Sequence, residues 1–102
     1  MPRTVSLASD AARDLAGVRS WLMQPGSGRE AHDRLRSIRT ALRDLGNHPS
    51  RLPLGQHAGV RERFVAGYRL MYIVDPDTGS DHTAGNVTVL RIYGPGQSRD
   101  RL

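Results

Sequence analysis

The 102-residue chain contains no cysteine and no lysine. Without cysteine, disulfide bonds and thiolate metal sites are excluded, a composition that suits a reducing compartment. All 15 basic residues are arginine, which keeps its charge at physiological pH and is a poor general base, so a catalytic lysine is excluded too. The formal net charge of +5 favours an anionic partner, either nucleic acid or an acidic protein.

Long apolar runs are also missing from the sequence. No run approaches the length of a membrane span, and the N-terminus lacks the apolar stretch of a secretory signal. We therefore predict a soluble, cytoplasmic protein with no membrane contact. The length suits one domain over residues 1–102, with a mobile tail over about 94–102. Because only 37% of the residues are hydrophobic, the core is expected to be small and part of the apolar surface to need a partner.

Two helices are predicted near the N-terminus, after a short strand over residues 3–7. Apolar residues spaced by three or four indicate helices over about 9–23 and 27–45. Ser27 and Glu30 have the spacing of a capping box at the start of the second helix. Trp21 and Leu22, near the end of the first helix, are expected to pack in the core or between the two helices of the hairpin.

The second half of the chain has the period of β-strands. Residues 61–65 and 68–74 flank Ala66-Gly67, a two-residue connection typical of a β-hairpin. A polar loop from Asp75 to Asn86 precedes a last strand over 87–93. The order β-α-α-β-β-β predicts an α+β domain in which a helical hairpin packs on one face of a small antiparallel sheet.

The other face of this sheet is expected to be partly open. Adjacent residues of a strand point to opposite faces. The residues expected to face the helices are Leu70, Tyr72 and Val74. Those expected on the open side are Arg69, Met71 and Ile73.

Four segments together resemble a known family: ARDL and SWL in the first helix, ALRDLGNHP at the end of the second, VRERFVAGYRLMYIVD in the hairpin and VTVLRIYGPGQSRD at the end. In order and spacing they are similar to the RelE/ParE superfamily of type II toxins, over nearly the whole chain. The resemblance implies the β-α-α-β-β-β fold and a cognate antitoxin that wraps an extended or helical segment around the toxin's open surface. RelE-like members cleave mRNA on the ribosome, whereas ParE-like members inhibit DNA gyrase.

A RelE-like activity needs phosphate-binding groups and proton carriers. By resemblance, Arg69 matches the arginine after Gly-Tyr, Arg99 lies near a second arginine position, and Arg61 and Arg63 fall near two strand lysines. The nearest tyrosine, Tyr93, precedes Arg99 where the family has a tyrosine after it. The set therefore lacks an obvious proton carrier.

The last strand and the end of the second helix are more similar to ParE-like members. We therefore predict a toxin of a plasmid-stabilisation type of toxin–antitoxin module that acts on DNA gyrase, forms a hetero-oligomer with its antitoxin and uses no cofactor or metal. Two alternatives stay open. One is a ribosome-dependent mRNA endonuclease, whose partners are the ribosome and mRNA, and the other is a non-toxic binding module that keeps the fold.

The arginines of the hairpin and the last strand form the predicted binding surface for an anionic target or an acidic antitoxin. They are Arg61, Arg63, Arg69, Arg91 and, in the tail, Arg99. The alternative is that the hairpin arginines are ordinary strand charges beside solvent and Glu62, and that Arg91 pairs with a buried or cross-strand acid.

The remaining polar features favour plainer interpretations. A solvated face is expected for the arginines of the second helix, namely Arg29, Arg36, Arg39 and Arg43. The four histidines lack metal-ligand spacing, and the loop from Asp75 to Asn86 is expected to be a turn without calcium.

Overall fold

The computed structural model of the chain describes residues 3–49 and 57–95. It contains six elements in the predicted order β-α-α-β-β-β. They are β1 (Val5–Leu7), α1 (Ser9–Leu22), α2 (Gly28–Asp44), β2 (Arg61–Val65), β3 (Tyr68–Asp75) and β4 (Asn86–Tyr93). The helical hairpin packs on one face of a four-stranded sheet, which confirms the predicted α+β architecture.

The sheet has the strand order β1-β4-β3-β2. The pairs β2–β3 and β3–β4 are antiparallel, as predicted. β1, however, pairs in parallel with β4, with Val5 opposite Val87 and Leu7 opposite Val89. The sheet is therefore mixed and not fully antiparallel. Its parallel pair joins the first and the last strand of the chain.

The two faces of β3 are occupied as the strand period predicted. Leu70, Tyr72 and Val74 belong to the main core, where the two helices cover them. On the opposite face Met71 is fully buried in a second, smaller cluster with Val60 and Tyr93. The face expected to be open is thus partly covered by the chain's own residues.

The start of α2 differs from the capping box predicted at Ser27 and Glu30. Ser27 adopts helical angles (φ −63°, ψ −37°) and makes no side-chain cap bond, since a capping side chain needs an extended backbone at that position. Glu30 instead contacts Arg34 at 3.4 Å. The predicted capping box is therefore wrong.

Trp21 and Leu22, at the end of the first helix, differ in burial. Leu22 is buried in the core, but Trp21 is 65% exposed and lines a shallow groove with Ala31 and Arg34 of α2, so placing Trp21 in the core would be wrong. Successive residues of an α-helix are rotated by about 100°, which turns the residue before Leu22 toward solvent.

In the described ranges, no helix is both long and apolar enough to cross a bilayer.

The β2–β3 connection confirms the predicted hairpin. Ala66 and Gly67 both have positive φ, 51° and 83°, as in a two-residue turn whose twist matches that of the strands. This turn sets the register that places Phe64 opposite Arg69 and Arg63 opposite Leu70.

Candidate functional site

Four arginines lie on the strands of the hairpin and β4, and we call Arg61, Arg63, Arg69 and Arg91 the strand arginines. Each forms an ion pair with a carboxylate of the same chain. The four carboxylates lie on different elements, in the β3–β4 loop, at the end of α2, on β2 and on α1, so the four guanidinium groups do not form one patch.

Arg61 forms the most enclosed of these pairs. Its Nε and Nη2 donate to Oδ2 and Oδ1 of Asp77, each at 2.9 Å, and only 10% of its side chain is exposed. Asp77 lies in the β3–β4 loop and also accepts the N–H of Gly79. The hydrogen bonds from Arg61 lower the pKa of Asp77 below its usual value. The pair therefore fastens the loop to the sheet in charged form.

Tyr72 lies opposite Arg61 in the register, on the face that packs against the helices. Its hydroxyl donates to the carbonyl of Pro49 at 3.0 Å. Burial raises the pKa of Tyr72 to about 12. This phenol therefore keeps its proton at physiological pH and does not serve as a base.

Arg63 reaches the end of α2. Its Nη1 donates to Oδ2 of Asp44 at 3.1 Å. This bond, together with one from Asn47, lowers the pKa of Asp44. Since Arg63 opposes Leu70, it points to the helical side of the sheet, as Arg61 does.

Arg69 lies on the other face of the sheet. Its Nη1 donates to Oε1 of Glu62 at 3.1 Å, and both side chains are nearly buried. The guanidinium carbon lies 4.6 Å from the ring centroid of Phe64, within the range of a cation–π contact. In the described part of the chain, its Nε is a buried donor without a hydrogen-bond acceptor.

Arg91 pairs with α1. Its Nε and Nη2 donate to Asp14 at 2.8 and 3.3 Å, and its guanidinium lies over the ring of Tyr93. Oδ2 of Asp14 also accepts the N–H of Ile92 at 2.9 Å. β1 pairs with β4 only as far as Val89. Beyond that point the carboxylate of Asp14 accepts the N–H of Ile92, which a neighbouring strand would otherwise bond. Arg91 therefore pairs with an acid, which was the alternative to its predicted binding role, and this acid lies on a helix and not on a neighbouring strand.

The residues of the RelE-like alternative are thus divided between surfaces. Arg61 and Arg63 point to the helical side and Arg69 to the other face. Tyr93 is 6% exposed and packs in the smaller apolar cluster. Arg99 lies outside the described residues. Within the described ranges, these residues do not place a proton carrier beside a group of phosphate-binding cations.

A second group of arginines lines a groove that the sequence did not predict. The groove encloses about 740 Å³ between β1 and α2. Aliphatic side chains form its floor: Val5, Leu7, Leu35 and Leu42. Its rim carries three exposed arginines of α2, which we call the α2 arginines: Arg36, Arg39 and Arg43. We refer to the whole feature as the β1–α2 groove.

The α2 arginines are exposed, as expected for a solvated helix face. Arg36 makes one loose contact, at 3.8 Å, with exposed Asp33. Arg39 and Arg43 have no ion pair among the described residues. Their spacing of three and four residues places all three on one side of the helix, a signal that was visible in the sequence. The sequence did not show that the edge of β1 lies beside these arginines.

The loop between β3 and β4 is a turn tied to the body of the protein. Oγ1 of Thr78 accepts the N–H of Ser80, and His48 contacts Asp81 at 3.4 Å. The side chain of Arg3 donates to the carbonyls of Gly46, Asp81 and Ala84. Across the described ranges, no three His, Cys, Asp or Glu residues are grouped so as to hold a metal ion.

Comparison with known proteins supports this assignment of the fold. Among solved structures, the chain is similar to one from a chromosomal ParDE toxin–antitoxin system of P. aeruginosa, with a TM-score of 0.68 and 14% identity, over 92% of this chain and 97% of that one. No curated protein sequence matches the chain. The profile of the ParE toxin of type II toxin–antitoxin system, parDE, matches residues 5–94. The chain therefore belongs to the ParE toxin family of type II toxin–antitoxin systems.

Proposed function

We propose that this toxin arrests growth by binding DNA gyrase, without cleaving RNA, and that a cognate antitoxin neutralises it. Membership of the ParE family supports both parts of the proposal. The geometric support comes from the strand arginines, each of which is held by a carboxylate of the same chain.

RNA cleavage requires a cationic site for the phosphate and a group that moves protons at neutral pH. The strand arginines meet neither requirement well. Their charge is compensated internally, and guanidinium groups do not release protons at physiological pH. The two buried tyrosines beside them are poor substitutes, because Tyr72 has its pKa raised to about 12 and Tyr93 is almost inaccessible. A function based on binding to a target fits these residues better than catalysis does.

Two assays on one preparation of the full chain test this proposal. The first measures supercoiling of relaxed plasmid by DNA gyrase, and the second maps mRNA cuts by primer extension in a reconstituted translation reaction. We expect loss of supercoiling at a modest molar excess of toxin and no codon-phased cuts.

The other outcomes identify the alternatives. Codon-phased cuts with normal supercoiling would contradict the proposal and support a ribosome-dependent endonuclease. If both assays were negative and induction of the gene without antitoxin were harmless, the chain would be a non-toxic binding module. Arg69→Ala adds a further control, since an endonuclease of the RelE-like kind would lose its cuts with this variant.

A further inference from the structure

We propose that a pocket beside Trp21 binds a nucleotide, whose base stacks on the indole and whose phosphate is held by two arginines. The pocket lies between the two helices and the end of β4, and it shares no lining residue with the β1–α2 groove. It encloses about 590 Å³, within the range of roughly 300–1,000 Å³ of small-molecule sites. The inference goes beyond the proposed action on gyrase and does not depend on it. We call this feature the Trp21 pocket, and its lining includes Arg13, Gly17, Trp21, Arg34 and Tyr68.

The first feature of the pocket is the exposed indole of Trp21. With 65% of its surface accessible, Trp21 is the most exposed of the large hydrophobic side chains in the described ranges. Both cation–π contacts found there involve other rings, those of Phe64 and Tyr93, so no guanidinium covers the indole. Every base has a flat π-face that stacks on such a ring. A free indole at the wall of a pocket therefore favours a flat, aromatic ligand.

The second feature is the hydroxyl of Tyr68. Tyr68 is 5% exposed and lines the pocket, but its hydroxyl has no hydrogen-bond partner among residues 3–49 and 57–95. A buried tyrosine hydroxyl usually has such a partner. The fully buried polar side-chain atom without a partner in these ranges is Nε of Arg69, so the Tyr68 hydroxyl keeps contact with solvent. A phosphate or sugar oxygen in the pocket supplies the missing partner.

The third feature is a pair of arginines, Arg13 of α1 and Arg34 of α2. Each makes one loose contact with an exposed acid of its own helix, at 3.7 Å for Arg13 and at 3.4 Å for Arg34. Exposed pairs of this kind are weak. A phosphate accepts two parallel N–H bonds from one guanidinium and therefore competes well for these cations. The carboxylate of Asp14, which also lines the pocket, is already neutralised by Arg91.

The fourth feature is Gly17, a glycine inside α1. Glycine is unfavourable in the interior of a helix compared with alanine. Packing does not require it here, because a Cβ added at Gly17 meets no atom within 4 Å. Gly17 lies one helical turn from both Arg13 and Trp21. Its missing side chain therefore leaves room for a ligand that reaches the indole and the guanidinium together.

A peptide fits the Trp21 pocket less well than a nucleotide does. In the described sheet β3 lies between β2 and β4, and the N–H of Ile92 is bonded to Asp14, so these strands offer little free backbone to a peptide. A base-paired duplex is unsuitable too, since its bases stack on one another. A second copy of this chain is disfavoured by the repulsion between two molecules of net charge +5.

The test uses Trp21 as its own reporter, because it is the only tryptophan of the chain. The full-length protein is titrated with adenosine 5′-monophosphate, with adenosine and with inorganic phosphate, and the fluorescence of the indole is recorded. We expect the nucleotide to quench this fluorescence in a saturable way. Adenosine, which lacks the phosphate, is expected to bind about tenfold more weakly, and phosphate alone is expected to leave the fluorescence unchanged.

Gly17→Leu fills the space between the indole and Arg13. Because this space holds no other atom, the variant is expected to keep its fold and to bind the nucleotide about tenfold more weakly or worse. The matched control is Ala16→Leu, at the neighbouring exposed position outside the pocket, which is expected to bind like the wild type.

Two further variants separate the roles of the polar groups. Arg13→Gln with Arg34→Gln is expected to lower the affinity for the nucleotide to that for adenosine and to leave the affinity for adenosine unchanged. Its control is Arg19→Gln with Arg29→Gln, which removes the same charge at exposed sites outside the pocket. Tyr68→Phe keeps the buried ring, removes only the hydroxyl and is expected to weaken nucleotide binding about fivefold.

A nucleotide can reach the pocket free or as part of a single strand of nucleic acid. A short deoxyadenosine strand without a terminal phosphate distinguishes these sources. Tighter binding of the strand than of the nucleotide identifies a single strand as the ligand, because neighbouring phosphates then add contacts to this basic protein. Weaker binding of the strand identifies the free nucleotide. Both results support the pocket.

Four results overturn the proposal. The first is the absence of quenching up to millimolar nucleotide, and the second is equal affinity for the nucleotide and for adenosine. The third is equal binding by Gly17→Leu and Ala16→Leu. The fourth is saturable quenching by a short peptide of phenylalanine and glutamate but not by the nucleotide, which would assign the pocket to a protein partner.

Discussion

The strand arginines and the α2 arginines present the same guanidinium group in opposite surroundings. Arg61 is nearly buried, and its Nε and Nη2 both donate to the carboxylate of Asp77. Arg39 is exposed beside an aliphatic groove. Breaking a buried ion pair leaves an uncompensated charge, whereas an exposed arginine contributes little to stability. The first set is thus expected to hold the fold together and the second to be free for a partner.

The largest effect on stability is expected from Asp14→Ala. Asp14 accepts two hydrogen bonds from Arg91 and one from the N–H of Ile92, so its loss leaves a charge and a backbone donor without partners. The free energy of unfolding, measured with urea, is expected to fall by about 3 kcal/mol. Asp10→Ala is the control on the same helix, since Asp10 is exposed and 3.7 Å from Arg13. Equal losses in the two variants would show that the pair with Arg91 contributes nothing special.

A smaller, pH-dependent effect is expected from Asp77→Asn. Arg61 lowers the pKa of Asp77 in the folded state below the ordinary value of 3.8. The carboxylate therefore stabilises the protein above this value, and the contribution is lost as the pH falls through the lower, folded pKa. We expect the variant to be less stable than the wild type at pH 7, by about 1–2 kcal/mol.

The check on this prediction is urea unfolding at pH 7 and at about pH 2. The difference between wild type and Asp77→Asn should shrink at the acid end, because the wild-type carboxyl becomes neutral too. A difference that stays constant with pH would mean that the charge of Asp77 is unimportant and that only its shape matters.

The smallest effect on stability is expected from Arg39→Glu with Arg43→Glu. Neither arginine has an ion pair in the described ranges, and exposed substitutions usually change stability by less than about 0.5 kcal/mol. Thermal or urea unfolding is therefore expected to match that of Arg19→Glu with Arg29→Glu, which makes the same change in net charge at other exposed sites. A groove variant that unfolds much more easily would place these arginines among the structural ones.

Local signals were sufficient to predict most of the fold. The helical spacing around Ile38, the strand period around Tyr72 and the turn at Ala66-Gly67 are each contained within a few residues. The parallel pairing of β1 with β4 was not predictable in this way, since it joins residues that are about 80 positions apart and no connection between them imposes the direction. The capping box failed because Ser27 adopts helical backbone angles, which its sequence position does not determine.

The candidate site was harder to predict for the same reason. The strand arginines were visible as a cluster of charge, but their partners Asp14, Asp44 and Asp77 lie 16 to 77 residues away. A sequence shows the cations and not the carboxylates that neutralise them. Conversely, the α2 arginines were visible as a helix face, but the strand edge that gives them a groove depends on the tertiary position of β1.

The most direct test of these two roles applies one substitution at both places. Arg61→Gln and Arg39→Gln remove the same charge, and urea unfolding at pH 7 measures the consequence of each. We expect the free energy of unfolding to fall by about 2 kcal/mol for Arg61→Gln and by less than about 0.5 kcal/mol for Arg39→Gln. Equal losses, or a larger loss for Arg39→Gln, would contradict the division of the arginines into a structural set and an exposed set.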